Sequence, residues 1–353
     1  MVYLGQQSSV FMSSRREFVK NAGLLSSAAL LNQSFTLFDE LVTPAAKLKA
    51  PRLKAGDTIA ITSPAGAVWD EMQIEKFSGI LKGFGFEVIH GNTLKQKLGY
   101  FSGTDSERAK ELNSFFADKK IKGIFSMKGG WGCARIIDQL DYNLIAQNPK
   151  VLIGFSDITT LLNVIYAKTG LVTFHGPVGN SGWNDFTSNV FKSVVMKGEQ
   201  TVFPLGPSEE DKIITFNKGT ASGTLVGGNL SVLSSIVGSG YLPDFKGKIL
   251  FLEETKEEPY RIDRMLTQLK LAGILKQLNG VAIGKFVKCE AEEPQKAFTF
   301  LQVLEQHFKT LTIPVFYGLM TGHIENKLTL PVGIEVNMNA ETGVLKLNES
   351  AVV

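Results

Sequence analysis

The tetrapeptide Gly154-Phe155-Ser156-Asp157 falls between an apolar run, residues 151–155, and a stretch with helical spacing, residues 157–166. A serine at a sharp strand-to-helix turn stands above the sheet, beside the free amides of a helix N-terminus. That placement suits a nucleophile, and the backbone N–H of Asp157, at the start of the helix, suits an oxyanion donor. The same serine is also a good N-cap, and the tetrapeptide alone favours that plainer role.

A nucleophilic serine needs a base, and the chain has four histidines. His307 lies among Leu301, Val303, Leu304 and Phe308 and reads as structural or solvated, while His90 ends a strand far upstream. His175, before Gly176-Pro177, and His323, in the polar loop Gly322-His323-Ile324-Glu325-Asn326, both follow strands and occupy loops, where functional groups concentrate. Spacing does not choose between them. The third member would be a carboxylate that orients the imidazole. Glu253 and Glu254 end the apolar strand 249–252, which would hold a carboxylate rigidly, although with Glu257 and Glu258 they also fit a solvated acidic stretch.

The loop Lys128-Gly129-Gly130-Trp131-Gly132 matches neither the Walker phosphate loop nor the dinucleotide fingerprint. Its three glycines let backbone amides come close to a ligand, as a second oxyanion donor or as a phosphate cradle. Two such loops at neighbouring strand ends form a coherent acyl-transfer site. Cys133 and Cys289 form no C-x-x-C pattern, and two cysteines cannot make a disulfide framework or a four-cysteine zinc site. No metal or cofactor is expected.

These residues must be carried by elements, and from Pro51 onward strands and helices alternate. Strands are predicted over 57–62, 86–89, 121–127, 151–155 and 171–174. Helices are predicted over 72–84, from the capping box Thr104-Asp105-Ser106-Glu107 onward, over 133–140 and over 157–166. The resulting fold class is α/β: an N-terminal, mostly parallel α/β sandwich domain with the serine on a strand-to-helix elbow, over 51–180. Residues 181–211, rich in polar residues, Gly and Pro, read as an inter-domain connection. Residues 212–353 read as a mixed α/β domain, with strands at 220–226, 248–252, 280–288, near 315, 333–337 and 344–347. Its helices are predicted at 230–237, 262–271 and 295–308, with Gly227-Gly228-Asn229 as a turn.

The chain has 353 residues, 44% of them apolar, and a net charge of +3. That length suits two domains, and the apolar share excludes a disordered or fibrous protein. The first fifty residues carry five Lys/Arg against three Asp/Glu, so the remainder is nearly neutral and has no general nucleic-acid footprint. The N-terminus, Ser14-Arg15-Arg16-Glu17-Phe18-Val19-Lys20 followed by the apolar run 22–31, has the layout of an export signal and resembles the twin-arginine type. The run is about half the roughly 20 residues a membrane span needs. Residues 1–50 are therefore expected to be a signal and linker of a periplasmic protein, with a cytoplasmic location as the alternative.

The blocks 53–60, 128–132, 153–159, 173–177, 223–230, 251–254, 259–266 and 317–331 together resemble the murein tetrapeptide L,D-carboxypeptidases. This serine peptidase family includes the microcin C self-immunity enzymes, and the resemblance runs from Pro51 to about Asn339. It implies Ser156 as nucleophile, His323 as base, Glu253 as the orienting carboxylate, and backbone N–H groups of Asp157, Gly129 and Gly130 as the oxyanion hole. His175 is then structural, or supports the site from behind. The resemblance also implies a peptidoglycan-peptide substrate losing its terminal D-alanine, an active site closing where the domains meet, and a homodimer. Lys128 stands where many relatives have Arg, and Trp131 where many have Tyr. Lys128, Trp131, Arg135 and Arg261 are the substrate-binding candidates, because a substrate carboxylate must meet a cation. Two alternatives remain: an immunity-type hydrolase of a peptide-nucleotide antibiotic, and a non-catalytic murein-peptide binding protein.

Overall fold

The computed structural model describes residues 46–353; the arginine pair and apolar run of the expected export signal lie outside the described residues. The chain first lays down β1 (Thr58–Thr62), α1 (Met72–Gly83), β2 (Glu87–His90), α2 (Asp105–Ala117), β3 (Ile121–Ser126) and α3 (Tyr142–Gln147). It continues with β4 (Val151–Gly154), α4 (Thr159–Thr169), β5 (Thr173–His175) and α5 (Asp185–Phe191). The five strands run parallel in the order β5-β4-β3-β1-β2. All four residues of β4 are buried, as expected of a parallel strand covered on both faces. The predicted capping box is present: the Thr104 hydroxyl accepts from the Glu107 N–H, and the Glu107 carboxylate accepts from the Thr104 N–H.

The second half supplies β6 (Ile214–Asn217), β7 (Thr220–Asn229), α6 (Leu230–Ser235), β8 (Ile249–Thr255), α7 (Pro259–Leu271), β9 (Gly280–Val287), α8 (Phe300–Phe308) and β10 (Val315–Tyr317). Three short strands follow: β11 (Leu330–Val332), β12 (Glu335–Asn339) and β13 (Val344–Leu347). The second sheet has the order β13-β12-β7-β8-β9-β10-β6. Its centre, β7 to β10, is parallel and its edges are antiparallel. The chain crosses back once, as β11 pairs antiparallel with β5 of the first sheet.

Four local expectations are corrected. Residues 133–140 form two short 3₁₀ segments, Cys133–Arg135 and Ile137–Gln139, instead of one helix. Gly132 before them is left-handed and caps nothing, and the Cys133 N–H is taken by the Asp157 carboxylate. Residues 181–211 hold α5, capped by Asn184 and continued by π-helical turns over Lys192–Lys197. Gly227-Gly228-Asn229 continues β7 rather than turning, paired with β8. The helix expected from 295 starts only at Phe300, capped by Thr299.

Both sheets turn the carboxyl ends of their parallel strands toward the site, the usual location for a binding crevice in such sheets. They are joined beside it by α4 and the end of β7. The Asn163 side chain donates to Gly227 O at 2.9 Å and accepts from Gly227 N–H at 3.2 Å, while Asn229 N–H donates to Thr159 Oγ1 at 3.1 Å. A β-carbon at Gly228 would stand 2.5 Å from Thr159 Cγ2 and Oγ1, so the approach needs a glycine.

Candidate active site

Ser156 follows β4 with φ +63°, one of three non-glycine residues in the left-handed region among those described. Such a conformation costs about 1–3 kcal/mol and persists only where its surroundings impose it. A 3₁₀ turn, Ser156–Ile158, leads from it into α4. The first N–H groups of that turn, Asp157 included, have no carbonyl of the turn to bond. The Asp157 carboxylate turns away and accepts the Cys133 N–H at 2.8 Å, which ties the elbow to the loop after β3. Burial raises the Asp157 carboxyl above the usual carboxylate range, partly offset by that N–H. Gly129 packs directly on the serine: a β-carbon there would lie 2.7 Å from Ser156 Cβ and 3.2 Å from Asp157 N. The Ser156 hydroxyl has no hydrogen-bond partner among the described residues.

The second sheet brings the carboxylate and the imidazole together. Glu253, on β8, is fully buried, and its Oε2 accepts from His323 Nδ1 at 2.9 Å. That bond leaves Nε2 as the free nitrogen of His323. The His323 side chain is 24% exposed, and its ring meets Phe155, the residue before Ser156, edge-on at 4.9 Å. His175 behaves differently. It is buried at the end of β5, its Nδ1 lies 3.2 Å from Thr321 Oγ1, and burial holds its imidazole down at about 4. Its Nε2 faces Glu253 Oε1 at 4.0 Å, and neither atom has a hydrogen-bond partner among the described residues.

A cleft of about 300 Å³ opens over the serine, lined among others by Gly130, Trp131, Arg135, Ser156, Asn229 and Glu254. Glu254 is nearly buried and accepts from Asn229 Nδ2, Ser231 N–H and Thr255 N–H at 2.7–3.1 Å. Burial, with the neighbouring Glu253 charge, pushes it up to about 7. Of the expected substrate-binding residues, Trp131 and Arg135 line this cleft. Arg135 is paired with Asp105 at 2.8 Å. Lys128 Nζ is turned to the Ala67 carbonyl at 3.2 Å, and Arg261, on α7, sits beside Tyr260 and 3.8 Å from Glu257, which lines the cleft. Both cysteines are poor nucleophiles: burial raises the Cys133 thiol well above its ordinary value and Cys289 to about 11.

Two residues with evident work at the site escaped the sequence reading. Arg108 of α2 is fully buried; it donates to Pro64 O at 2.7 Å and Gly132 O at 3.0 Å and pairs with Asp105, so it fixes two loops of the rim. The only signal was its place just inside a capped helix. Lys327 is nearly buried, with Nζ 4.2 Å from the Phe155 ring centre and 3.3 Å from Ser181 Oγ. Burial lowers its ammonium to about 8, against the Glu253 charge, which raises it. A lysine three residues before the strand Leu330-Pro331-Val332 gave no sign of this.

Comparison with known proteins places the chain in a family. The family model described as LD-carboxypeptidase N-terminal domain matches residues 59–176, and that described as LD-carboxypeptidase C-terminal domain matches residues 222–338. The chain is 36% identical to a probable murein peptide carboxypeptidase of Bacillus subtilis over 296 residues, covering 82% of this chain and 91% of the relative. Among solved structures, the microcin C7 self-immunity protein MccF matches with a TM-score of 0.80 at 28% identity, over 87% of this chain and all of that one. The muramoyltetrapeptide carboxypeptidase from Oxalobacter formigenes matches with a TM-score of 0.70 at 30% identity, over 82% of this chain and 97% of that one.

Proposed function

We infer the function from one plain premise: this chain belongs to the LD-carboxypeptidase family. It is a serine-type peptidase, a hydrolase that removes the terminal D-alanine of murein tetrapeptides by cleaving an L,D-amide bond. In the mechanism, His323 Nε2 takes the Ser156 proton as the hydroxyl oxygen attacks the carbonyl carbon before the terminal residue. N–H groups of Asp157 and of the Gly129-Gly130 segment receive the oxyanion, and Glu253 holds the imidazole in its Nδ1–H tautomer. Collapse passes the proton from His323 to the leaving amine and frees D-alanine. Water, deprotonated by the same imidazole, then releases the acyl group from Ser156.

The observation that carries this reading is the Glu253–His323 bond, with the imidazole ring packed on the residue next to the serine. The serine's hydroxyl stands in the cleft without a hydrogen-bond partner among the described residues, and catalytic hydrogen bonds of this kind often form fully only when substrate binds. The direct test incubates the purified protein with defined tri-, tetra- and pentapeptides and identifies the products by mass. The expected product is the tripeptide with free D-alanine, from the tetrapeptide alone, and none from Ser156→Ala. Turnover by Ser156→Ala within tenfold of wild type overturns the nucleophile assignment.

A second reading has the MccF likeness behind it: hydrolysis of an amide in a peptide-nucleotide antibiotic. Competition between the two substrates in one assay separates them, and the tetrapeptide is expected to win. We further propose that the protein is exported through its Arg15-Arg16 segment and works as a homodimer. The sequence pattern at 14–31 supports the first, and the family resemblance supports the second. Among the described residues no helix is long and apolar enough to cross a membrane.

A further inference from the structure

Glu253 is fully buried, yet among the described residues only one of its oxygens has a hydrogen-bond partner. A buried carboxylate with so few partners needs a nearby positive charge, or it takes up a proton instead. Its neighbour on β8, Glu254, is a second carboxyl, which burial and the Glu253 charge push up to about 7, and the other groups facing Glu253 come from three elements. On β5, His175 is held neutral by burial; in the loop after β10, His323 must be neutral to act as a base. The third is Lys327, on the chain between that loop and β11. Its Nζ lies over the face of Phe155, while His323 and His175 meet the same ring edge-on, at 4.9 and 6.0 Å. One aromatic side chain thus fixes the ammonium relative to both imidazoles. The segment after β5 offers Nζ only the uncharged Ser181, and the side chain of Glu325 is turned toward Gly182.

We propose that Lys327 is a positioning residue whose ammonium, fixed over Phe155, keeps the Glu253–His323 pair in the form catalysis needs: an ionised carboxylate beside a neutral imidazole. The inference rests on the roles given to these two residues above. The carboxylate and the imidazole are joined by one hydrogen bond, so a charge beside either acts on both. A neighbouring positive charge therefore lowers the pH at which the pair takes up a proton, whichever atom receives it. The low-dielectric surroundings strengthen this effect relative to the surface. Removing the charge does the reverse. It also leaves Phe155 without the cation on its face, which loosens the support behind Ser156.

The test is the pH profile of kcat/KM for tetrapeptide cleavage in Lys327→Met, Lys327→Gln and Lys327→Arg. The Met and Gln variants are expected to move the acid limb to higher pH by about one unit. On the acid limb itself this appears as about a tenfold loss, shrinking toward alkaline pH. The Arg variant retains the wild-type acid limb. Should Lys327→Met fail to fold, the Gln variant, which can still bond Ser181, carries the measurement. An acid limb that stays in place in the uncharged variants, whatever their rates, overturns the proposal. His323→Ala, run alongside, tests the underlying roles separately. If it stays within tenfold of wild type, both the roles and this inference fall; if it is inactive while the acid limb is unmoved, only the inference falls.

Discussion

A β-carbon added to Gly129 would stand 2.7 Å from Ser156 Cβ and 2.9 Å from its Oγ. The glycine loop after β3 is therefore pressed onto the serine elbow without room for one methyl group, which brings its amides to the reacting hydroxyl. Gly129→Ala is expected to cut kcat at least 100-fold, the scale of losing one oxyanion donor, because the loop or the serine must move. The melting temperature should fall by only a few degrees. A variant with kcat within threefold of wild type would show that the loop takes no part in the chemistry.

The Glu253–His323 bond predicts a different signature. Glu253→Gln keeps the shape of the side chain but removes its charge and allows the wrong face of the amide to meet Nδ1–H. Equivalent changes in serine hydrolase triads cost roughly 10⁴ in kcat. The loss here should fall on kcat, with KM within a few-fold, since Glu253 is buried and does not line the cleft. Steady-state kinetics of D-alanine release check this, and an unchanged kcat would remove Glu253 from the mechanism.

Arg135 is the one cation among the expected substrate-binding residues that lines the cleft, and its exposed pair with Asp105 adds little to stability. Its use would be in meeting the substrate's free carboxylate. Arg135→Met is expected to raise KM about tenfold, the value of one charge-assisted hydrogen bond, with kcat nearly unchanged. The penalty should vanish for a substrate whose terminal carboxylate is amidated. An equal penalty on both substrates would place the carboxylate elsewhere.

The elements that local rules control were legible in the sequence. The capping box at Thr104 and Glu107 marks the start of α2, and the unbroken apolar run 151–154 marks a doubly covered strand. The serine's elbow was legible as a place, but its role was not, because a nucleophile and an N-cap share one pattern. The choice between His175 and His323 was not written in spacing either. Both imidazoles approach Glu253, from opposite oxygens, and what separates them is burial: one ring is sealed inside and the other reaches the open side. That difference is made by two sheets meeting, a long-range event. Residues 181–211 were legible but overlooked. Val190, Phe191, Val194 and Val195 recur at helical spacing and are buried, behind a run of polar residues that disguised them. Residues 133–140 misled in the opposite way: their apolar period fits a helix, yet the segment is two short 3₁₀ turns that break at Ile136.

His175 also makes stability depend on acidity. Its imidazole is held at about 4 by burial, against an ordinary value of 6.5. Between those values the unfolded chain binds a proton that the folded protein refuses, so stability rises with pH across that window and is lost as pH falls through it. Above about 6.5 both states are neutral and the group contributes nothing. The full loss, reached near pH 4, is at most about 3 kcal/mol. His175→Gln cannot titrate, although its truncated packing and altered bond to Thr321 should cost about 1–3 kcal/mol at neutral pH. Urea unfolding of both proteins at pH 7.5 and pH 5 is therefore expected to show the wild type losing more stability on acidification than the variant. The gap between them should narrow by about 1–2 kcal/mol, since pH 5 crosses only part of the window. Parallel losses in the two proteins would mean that the buried imidazole titrates normally, and that the pocket at the end of β5 is wetter than its packing indicates.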